Sequence, residues 1–331
     1  MSNNNIKCCF VIPYFGKLPN YFPLFLKSCE YNPEYNWLLF TDDKTEYNYP
    51  SNFKCVYMEF SDLRNIVQSK FDFPICLDRP YKLCDYKPAY GYIFEDYLRE
   101  YKCWGHCDID IVLGKITDFI SDEMLDFYDK LFCLGHFIIY KNTFENNRLF
   151  MTQYNNAKLY KSVFTTPKIL VFDEELRNNN NINQLFLHSG KKVFQEDLSL
   201  NICIFYKKFL RVQFCGVEHG YRNAYLVETP RKSITIWDKG KICRYCNEGY
   251  KLIREEYLYI HLQKRSMSFD NTVLDSNLIH ILPNAFRIVK ALPKTIDDLK
   301  SWKQETICFH RTRLIINGYK RRLINKLKRL F

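Results

Sequence analysis

The chain has 331 residues, of which 47% are hydrophobic and 17% aromatic, a composition that excludes a disordered or fibrous protein and allows a sizeable core. No run approaches the ~18 consecutive apolar residues of a membrane-spanning helix, and the first residues show no signal-peptide pattern, so we expect a cytoplasmic location. The net charge of +11 is uneven, because residues 311–331 hold eight of the 48 basic residues and no acidic one, whereas 40 basic and 37 acidic residues share the rest.

The first part of the chain predicts strands that alternate with helices. Cys8–Pro13, Tyr35–Thr41 and residues 53–60 are short apolar runs rich in β-forming residues, and residues 21–30 and 61–71 have helical patterns. This order is typical of βαβ units around a largely parallel sheet, in which ligands bind beyond the carboxyl ends of the strands. The 14 cysteines are spread through apolar segments, so we expect reduced thiols.

A pair of carboxylates follows the next predicted helix. Residues 86–101 predict that helix, with Pro88 in its first turn, and it leads into the apolar segment 102–113. Asp108 and Asp110 lie two residues apart in this segment and share one face of a predicted strand. Like charges among apolar residues are costly unless a cation compensates them, and Mn²⁺ or Mg²⁺ shared with phosphate oxygens suits oxygen ligands. Two solvated acids on a polar strand face are the alternative.

The second half predicts a loop-rich region around a few strands. The expected strands are residues 131–140, 191–194, 211–214, 233–237 and 257–261. Such a region suits an acceptor-binding part attached to a nucleotide-binding first half. Cys243 and Cys246 form a C-x-x-C that Cys215 and His219 could complete to four zinc ligands, but the spacing is not that of a standard zinc finger.

Several short motifs follow one another in a specific order along residues 6–265. They are Pro13-Tyr14-Phe15-Gly16, Thr41-Asp42-Asp43, Tyr81 to Pro88, Trp104 to Asp110, Gly135-His136, Phe172-Asp173-Glu174 and Tyr259 to Arg265. In this order the chain resembles the GT-A class of nucleotide-sugar-dependent glycosyltransferases. It resembles more closely a bacterial capsular and exopolysaccharide-biosynthesis family known mainly as a domain of unknown function.

The resemblance implies a fold and its divisions. The fold is α/β, with a GT-A-like (Rossmann-like) nucleotide-binding half around a mixed central sheet, a C-terminal acceptor region and a basic amphipathic tail helix. Residues 1–265 are expected to form the glycosyltransferase domain, with a nucleotide-sugar half at 1–115 and an acceptor half at 116–265. An extension at 266–310 and the helix at 311–331 follow.

Three groups of site residues are implied by the same resemblance. The base and ribose pocket is lined by residues that follow two strands: Pro13, Tyr14, Phe15, Thr41, Asp42 and Asp43. The diphosphate or the sugar is faced by Asp85, Lys87, Asp108 and Lys264. His261 joins Asp108 and Asp110 as the third ligand of Mn²⁺ or Mg²⁺. From the residues alone, Lys87 is equally a solvated surface lysine. A lone histidine beside a strand is more often a hydrogen-bonded core residue, but the unit from His261 to Arg265 favours the ligand role for His261.

A carboxylate on the acceptor side has to take the proton of the acceptor hydroxyl in an inverting transfer. Asp173 and Glu174, which follow the apolar run 169–172, are the favoured catalytic pair. The alternatives are Glu196-Asp197 and Glu218-His219. Any of these acids is otherwise an ordinary acid at a helix start.

The tail predicts a basic amphipathic helix. Apolar residues recur there at steps of three and four: Ile316, Tyr319, Leu323, Leu327 and Leu330. With basic residues at most of the remaining positions, the favoured partner is an anionic membrane surface, which would place the protein at the inner face of the membrane. A helix packed on the body and a nucleic-acid-binding arm are the alternatives.

Together these features predict a metal-dependent transferase that moves a sugar, galactose-type by the resemblance, from a UDP-sugar to a lipid-linked oligosaccharide in surface polysaccharide synthesis. Nucleotidyl or phosphoryl transfer on the same carboxylate pair is the alternative enzyme. A non-catalytic membrane or nucleic-acid adaptor that acts through the tail is the alternative outside enzymes. P-loop, dinucleotide-binding and α/β-hydrolase motifs do not occur in the sequence, which disfavours those three classes.

Overall fold

The computed structural model describes residues 6–175, 180–201, 209–214, 225–263, 265–302 and 309–327. Within these ranges the strands are β1 Cys8–Pro13, β2 Tyr35–Thr41, β3 Phe53–Tyr57, β4 Cys103–Cys107, β5 Ile111–Leu113, β6 Lys130–Leu131, β7 Phe137–Lys141, β8 Val193–Phe194, β9 Ser199–Asn201, β10 Leu210–Phe214, β11 Tyr225–Val227, β12 Ser233–Asp238, β13 Lys241–Glu248, β14 Lys251–Tyr257, β15 Tyr259–His261, β16 Leu278–Ile281 and β17 Phe286–Ile288.

The helices of the same ranges are α1 Phe22–Glu30, α2 Phe60–Ser69, α3 Tyr90–Ile93, α4 Glu95–Leu98, α5 Asp122–Phe127, α6 Phe144–Arg148, α7 Leu159–Phe164, α8 Ile182–His188, α9 Ile296–Ser301 and α10 Phe309–Leu327. Short 3-10 helices occupy Pro80–Ala89, Ile116–Asp118, Leu149–Met151 and Asn271–Asp275. None of these described helices is both long and apolar enough to cross a membrane.

The first sheet has seven strands in the order β3-β2-β1-β4-β7-β6-β8. β1 pairs in parallel with β2 and β4, and β2 in parallel with β3, whereas β7 runs antiparallel to β4. The carboxyl ends of the parallel strands therefore meet at one edge of the sheet. The prediction of an α/β fold with a mixed central sheet is confirmed.

Burial on both faces explains why the central strands of this sheet read as continuous apolar runs. Along β1, Cys8, Phe10 and Ile12 pack into one hydrophobic cluster, and Cys9 and Val11 pack into another. Because side chains alternate along a strand, these two clusters lie on opposite faces of the sheet. Core clusters on both sides hold the carboxyl edge of the sheet in place.

Two smaller sheets complete the described fold. The second has the order β11-β10-β9-β15-β5, and the third has the order β14-β13-β12-β16-β17 and is antiparallel throughout. The predicted divisions do not follow these sheets, because residue 115 falls between β4 and β7 of the first sheet and residue 265 falls between β14 and β16 of the third.

The carboxylate pair lies where the chain leaves the first sheet for the second. The prediction of one continuous strand through it is wrong, since β4 ends at Cys107 and β5 begins at Ile111. The connection is held by its backbone: the amide of Asp108 donates to His136 O at 3.0 Å, and the amide of Leu262 donates to Asp110 O at 2.8 Å. The two carboxylates therefore lie on a short bend between two sheets.

Two other predicted elements differ from the structure. The helix expected at 86–101 is divided into the end of a 3-10 helix, α3 and α4, and Phe94, at φ -106° and ψ 24°, separates α3 from α4. The strand expected at 131–140 is divided into β6 and β7, because Phe132 has a left-handed φ of 72°. The apolar run 169–172, for which no element was predicted, is irregular and includes Val171 at φ 57°.

Candidate metal and catalytic centre

Asp108, Asp110 and His261 converge where the first and second sheets meet. His261 ends β15, which pairs antiparallel with β5 so that His261 lies opposite Ile111, directly after the carboxylate bend. His261 Nε2 is 3.6 Å from Asp110 Oδ1 and 3.9 Å from Asp108 Oδ2. The ligand atoms of the three residues lie within 4.8 Å of one another, the one such group of His, Cys, Asp or Glu found among the described residues.

This geometry fits a divalent cation. Mg²⁺ takes oxygen ligands at about 2.1 Å in an octahedron, so neighbouring ligand atoms stand ~3 Å apart and opposite ones ~4 Å apart. The distances from His261 Nε2 to the two carboxylate oxygens, 3.6 and 3.9 Å, lie in that range. Both distances are longer than a normal hydrogen bond. Asp110 and His261 are also buried, with 5% and 9% of their surfaces exposed, and a buried carboxylate such as that of Asp110 needs a compensating positive charge. Binding of Mn²⁺ or Mg²⁺ by these residues stays a prediction.

The two carboxylates act on the protonation of His261. Burial alone would lower its pKa, but the negative charges of Asp110 and Asp108 outweigh burial and raise the pKa above its ordinary value. A histidine ligates through an unprotonated nitrogen. A cation therefore competes with a proton at this site, and its binding weakens as the pH falls.

Lys87 bridges this group and the catalytic pair predicted beside it. Its Nζ donates to Asp108 Oδ1 at 2.7 Å and to the carbonyl of Gly135 at 2.8 Å, and lies 3.4 Å from Asp173 Oδ2. Burial would lower the pKa of this ammonium, but Asp108 and Asp173 hold it well above its ordinary value. The surface-lysine alternative is wrong, because 13% of the side chain is exposed and both carboxylates contact it.

Asp173 and Glu174 lie on an irregular turn against the start of β7. The amide of Gly135 donates to Glu174 Oε2 at 3.1 Å, and a Cβ at Gly135 would come within 2.4 Å of Asp173 Oδ2, so glycine is what lets the turn approach this closely. Burial raises the pKa of Asp173 to about 7, although Lys87 opposes the shift, and burial also raises the pKa of Glu174.

A buried ion pair supports that turn from behind. Lys82 Nζ donates to Asp85 Oδ2 at 2.7 Å and to the carbonyl of Val163 at 2.9 Å, and Asp85 accepts from the amides of Leu170 and Phe172 at 3.0 and 3.1 Å. The side chains of Lys82 and Asp85 are fully buried. The expectation that Asp85 faces a diphosphate is therefore corrected, because its carboxylate anchors the segment that leads into Asp173.

Removing one partner of this pair is expected to destabilise the protein. Lys82→Met would leave Asp85 buried without its counter-charge, and breaking a buried pair in this way costs about 3–5 kcal/mol. Lys70→Met is the matched control, because the ion pair of Lys70 with Glu95 is half-exposed and such pairs are worth about 0–1 kcal/mol. Chemical denaturation measures both free energies of unfolding, and equal values would contradict the anchoring role.

The residues predicted to line a nucleotide pocket lie together at the carboxyl ends of β1 and β2. The amide of Gly16 donates to Asp42 Oδ1 at 2.7 Å, and that of Leu18 to Asp43 Oδ2 at 2.9 Å, so these acids brace the loop after β1. Thr41 and Phe15 are buried, whereas Pro13, Tyr14, Asp42 and Asp43 are half-buried. Burial, and after it the negative charge of Asp110, raises the pKa of Tyr14.

Comparison with known proteins identifies a family for the chain. Residues 10–290 match a family of unknown function, DUF6625. The chain belongs to this family. None of the curated proteins matches it.

Among the solved structures that are similar to this DUF6625 protein are two of the galactosyltransferase LgtC. One is in complex with donor and acceptor sugar analogs, and the other is of an active-site mutant. Their identities to the chain are 10% and 9%, and each match covers 58% of this chain and 75% of LgtC at a TM-score of 0.33. A likeness this distant carries no argument about activity, so the function has to be argued from the centre itself.

The remaining predicted positions either lie outside the described residues or are not part of the metal-ligand group. Lys264, Glu218, His219 and Cys215 lie outside the described residues. Glu196 is exposed, and Asp197 is buried just before β9. Cys243 accepts from Arg254 at 3.1 Å and Cys246 contacts Glu255, and neither belongs to a metal-ligand group among the described residues. Zinc binding by a set that includes Cys215 and His219 stays untested.

Three residues around His261 were not predicted from the sequence as site residues. The ring of His136 stacks on that of His261 with centroids 4.1 Å apart, and the hydroxyl of Tyr259 bonds His136 Nδ1 at 2.7 Å. Asn201 Oδ1 lies 3.2 Å from His261 Nδ1. Gly135-His136 and Tyr259 lay within quoted motifs, whereas no local signal marked Asn201, since strand pairing brings it to His261 from 60 positions away.

Proposed function

We propose that this DUF6625 protein is a metal-dependent glycosyltransferase that moves a sugar from a nucleotide sugar, UDP-linked, to a hydroxyl of a glycan acceptor. The observation that carries the proposal is the convergence of Asp108, Asp110 and His261 within 4.8 Å at the carboxyl edge of the first sheet. The basic and acidic groups needed to handle a diphosphate and a proton lie beside them.

The metal would be held by the two carboxylates and by His261 Nε2. When bound, a divalent cation supplies positive charge that stabilises a departing nucleoside diphosphate. Lys87 adds a second positive charge beside Asp108, and its raised pKa keeps it protonated at neutral pH. Tyr14 and the loop braced by Asp42 and Asp43 would bind the nucleoside at the ends of β1 and β2.

Asp173 is the group best placed to take the acceptor proton. In the transfer, the acceptor oxygen bonds to the anomeric carbon, the bond from that carbon to the diphosphate oxygen breaks, the diphosphate leaves with the electron pair, and the hydroxyl proton passes to a carboxylate. A base with a pKa near the working pH is the most effective, and the pKa of Asp173 is raised to about 7 by burial. Glu174 shares the turn and is the second candidate.

A panel of UDP-, GDP- and CMP-sugars tests the proposal. We expect Mn²⁺ to be needed both for stabilisation of the protein by a UDP-sugar, seen as a raised melting temperature, and for release of free UDP. Pyrophosphate as the product would show nucleotidyl transfer instead. If no nucleotide sugar changed the melting temperature and no product formed, the proposal would be wrong and the adaptor alternative would gain support.

We infer the acceptor and the location of the protein from the tail. α10 carries apolar side chains that recur at helical spacing and are exposed by 48%, 66% and 61%: Ile316, Tyr319 and Leu323. The basic residues Arg313 and Lys320 flank them and are exposed, and each Lys or Arg gains about 1 kcal/mol near anionic lipid. A membrane-bound enzyme suits a lipid-linked oligosaccharide acceptor, as in the assembly of a surface polysaccharide or capsule.

Replacing two residues of the apolar stripe is expected to weaken membrane binding and to leave the chemistry intact. In the full chain, Ile316→Ser with Leu323→Ser removes apolar surface without changing charge, and Asn317→Ser on the same helix is the matched control. Co-sedimentation with vesicles that contain phosphatidylserine should fall at least ~10-fold for the double variant, since burying each side chain is worth roughly 1.5–3 kcal/mol. Transfer to a water-soluble acceptor should not change, and loss of that activity would contradict a separate membrane role.

A further inference from the structure

His261 has a second ring nitrogen, which faces away from the two carboxylates toward β9. β15 and β9 pair in parallel, and this register sets His261 opposite Asn201. His261 Nδ1 lies 3.2 Å from Asn201 Oδ1, and both residues are buried, with 9% and 6% of their surfaces exposed. The proton on Nδ1 therefore depends on how the Asn201 amide is oriented.

A chain of hydrogen bonds fixes the orientation of that amide. Asn201 Nδ2 donates to Asp197 Oδ2 at 3.2 Å and to Ser199 Oγ at 2.8 Å. Ser199 in turn donates from both Oγ and its backbone amide to Asp197 Oδ1, at 2.6 and 3.0 Å. Burial raises the pKa of Asp197 to about 6, so at pH 7.5 its carboxylate is ionised and only accepts hydrogen bonds.

The orientation of the Asn201 side-chain amide decides which ring nitrogen of His261 carries the proton. Because the amide nitrogen of Asn201 faces Asp197, its carbonyl oxygen faces His261, and a carbonyl oxygen only accepts. Nδ1 must therefore carry the proton, which leaves Nε2 as the nitrogen that offers a lone pair toward Asp108 and Asp110.

The ring of His261 is also held in its plane. His136 stacks on it with an interplanar angle of 28° and centroids 4.1 Å apart, and the hydroxyl of Tyr259 fixes His136 through Nδ1 at 2.7 Å. A 180° rotation of the imidazole would put carbon atoms in the places of Nδ1 and Nε2, so it would break the bond to Asn201 and turn Nε2 away from the two carboxylates.

We propose that Asp197, Ser199 and Asn201 are positioning residues that keep His261 in the tautomer able to bind a cation through Nε2. The proposal rests on the proposed metal centre and extends it beyond the three ligands. Partners of this kind hold a metal-bound imidazole in orientation, and their loss typically weakens metal binding 10–100-fold.

Asp197→Asn tests the chain with little change in size. An amide at position 197 can donate to Asn201 Oδ1, which lets the Asn201 amide turn its nitrogen to His261 and move the ring proton to Nε2. Asn201→Leu is the second variant, because it removes the acceptor from His261 altogether. Asp129→Asn is the matched control: that carboxylate also accepts from a backbone amide, that of Lys192, and from an asparagine, Asn146.

Two measurements on the full-length proteins at pH 7.5 are combined, with melting temperatures as the check on folding. Titration with Mn²⁺ alone, read by electron paramagnetic resonance of the free ion, should give a dissociation constant ~10–100-fold higher for Asp197→Asn and Asn201→Leu than for the unmodified protein and the control. Nitrogen-15 spectra of the histidine rings without metal, followed to a pH at which the ring of His261 is neutral, should show that neutral ring protonated at Nδ1 in the unmodified protein and a changed signal in Asp197→Asn.

The outcomes separate the two proposals. Equal Mn²⁺ affinity in all four proteins, or a neutral His261 ring protonated at Nε2 in the unmodified one, would overturn the positioning role and leave the metal centre standing. Failure of the unmodified protein to bind Mn²⁺ would overturn the metal centre and the positioning role together.

Discussion

Replacing Asp110 by asparagine is expected to reduce Mn²⁺ affinity and sugar transfer by at least ~100-fold, because loss of a ligand exceeds the 10–100-fold cost of losing a residue behind one. Asp110 is 5% exposed and its Oδ1 lies 3.6 Å from His261 Nε2, so no other described residue in that ligand group can take its place without moving the bend. The amide oxygen that remains is a weaker ligand than a carboxylate because it carries no net charge.

The measurement is metal binding and activity on the same preparation. Asp126→Asn is the control, since Asp126 is 61% exposed and pairs with Lys102 away from the centre. Asp110→Asn should keep the melting temperature of the metal-free protein, or raise it, because one of two crowded acids is removed. Undiminished transfer by this variant, at the Mn²⁺ concentration that saturates the unmodified protein, would count directly against the metal assignment.

The first sheet could be predicted from the sequence because its central strands carry their own signal. β1 and β2 have the bounds that the apolar runs predicted, Cys8–Pro13 and Tyr35–Thr41. Burial on both faces makes such runs continuously apolar, and the helical patterns between them then require crossover connections and parallel pairing.

Breaks in regular structure were the part that could not be predicted. Phe132 and Val171 both have positive φ, a conformation that costs bulky residues energy, and no local pattern marks it. Tertiary contacts hold the first one, because the amide of Phe132 donates to Phe194 O at 2.7 Å across to β8. The strand expected over Phe132 was therefore divided.

Part of the candidate site could likewise be predicted from the sequence, and part of it could not. Asp108, Asp110, His261 and the acidic pair at 173–174 were named from residue type and motif order, and the structure brings them to one place. The partners of Lys87 were not foreseen, because its three contacts come from segments 21, 48 and 86 positions away in the chain. Contacts of that span depend on the finished packing of the sheets.

The expected consequence of removing the base is a change in the pH profile. Asp173→Asn should lower kcat/KM by ~10²–10⁴-fold, the usual contribution of a general base. In the unmodified protein kcat/KM should rise with pH and level off above about 7, since the pKa of Asp173 is raised to about 7 by burial and the base acts in its ionised form. The variant should lose that rise.

Metal binding separates this effect from that of His261, which also loses affinity for a cation at low pH. Mn²⁺ titrations of Asp173→Asn between pH 5.5 and 8.5 should follow the unmodified protein, because Asp173 is not one of the ligands, while transfer stays low throughout. Gln replacing Glu174 is the paired variant that decides between the two acids. A normal pH profile in Asp173→Asn with a lost rise in Glu174→Gln would transfer the role to Glu174.

The pH dependence of the free energy of unfolding gives an independent check on the direction in which the pKa of Asp173 is shifted. The folded pKa of Asp173, about 7, lies above its ordinary value of 3.8, so the folded protein binds this proton more tightly than the unfolded chain does. Its contribution therefore favours folding below pH 4 and is lost as the pH rises toward 7. Asp173→Asn should lose less stability over that interval than the unmodified protein, as measured by urea denaturation at pH 4.5 and 7.5. An equal loss in both would mean that Asp173 is ionised across the whole range and does not work as a base tuned to neutral pH.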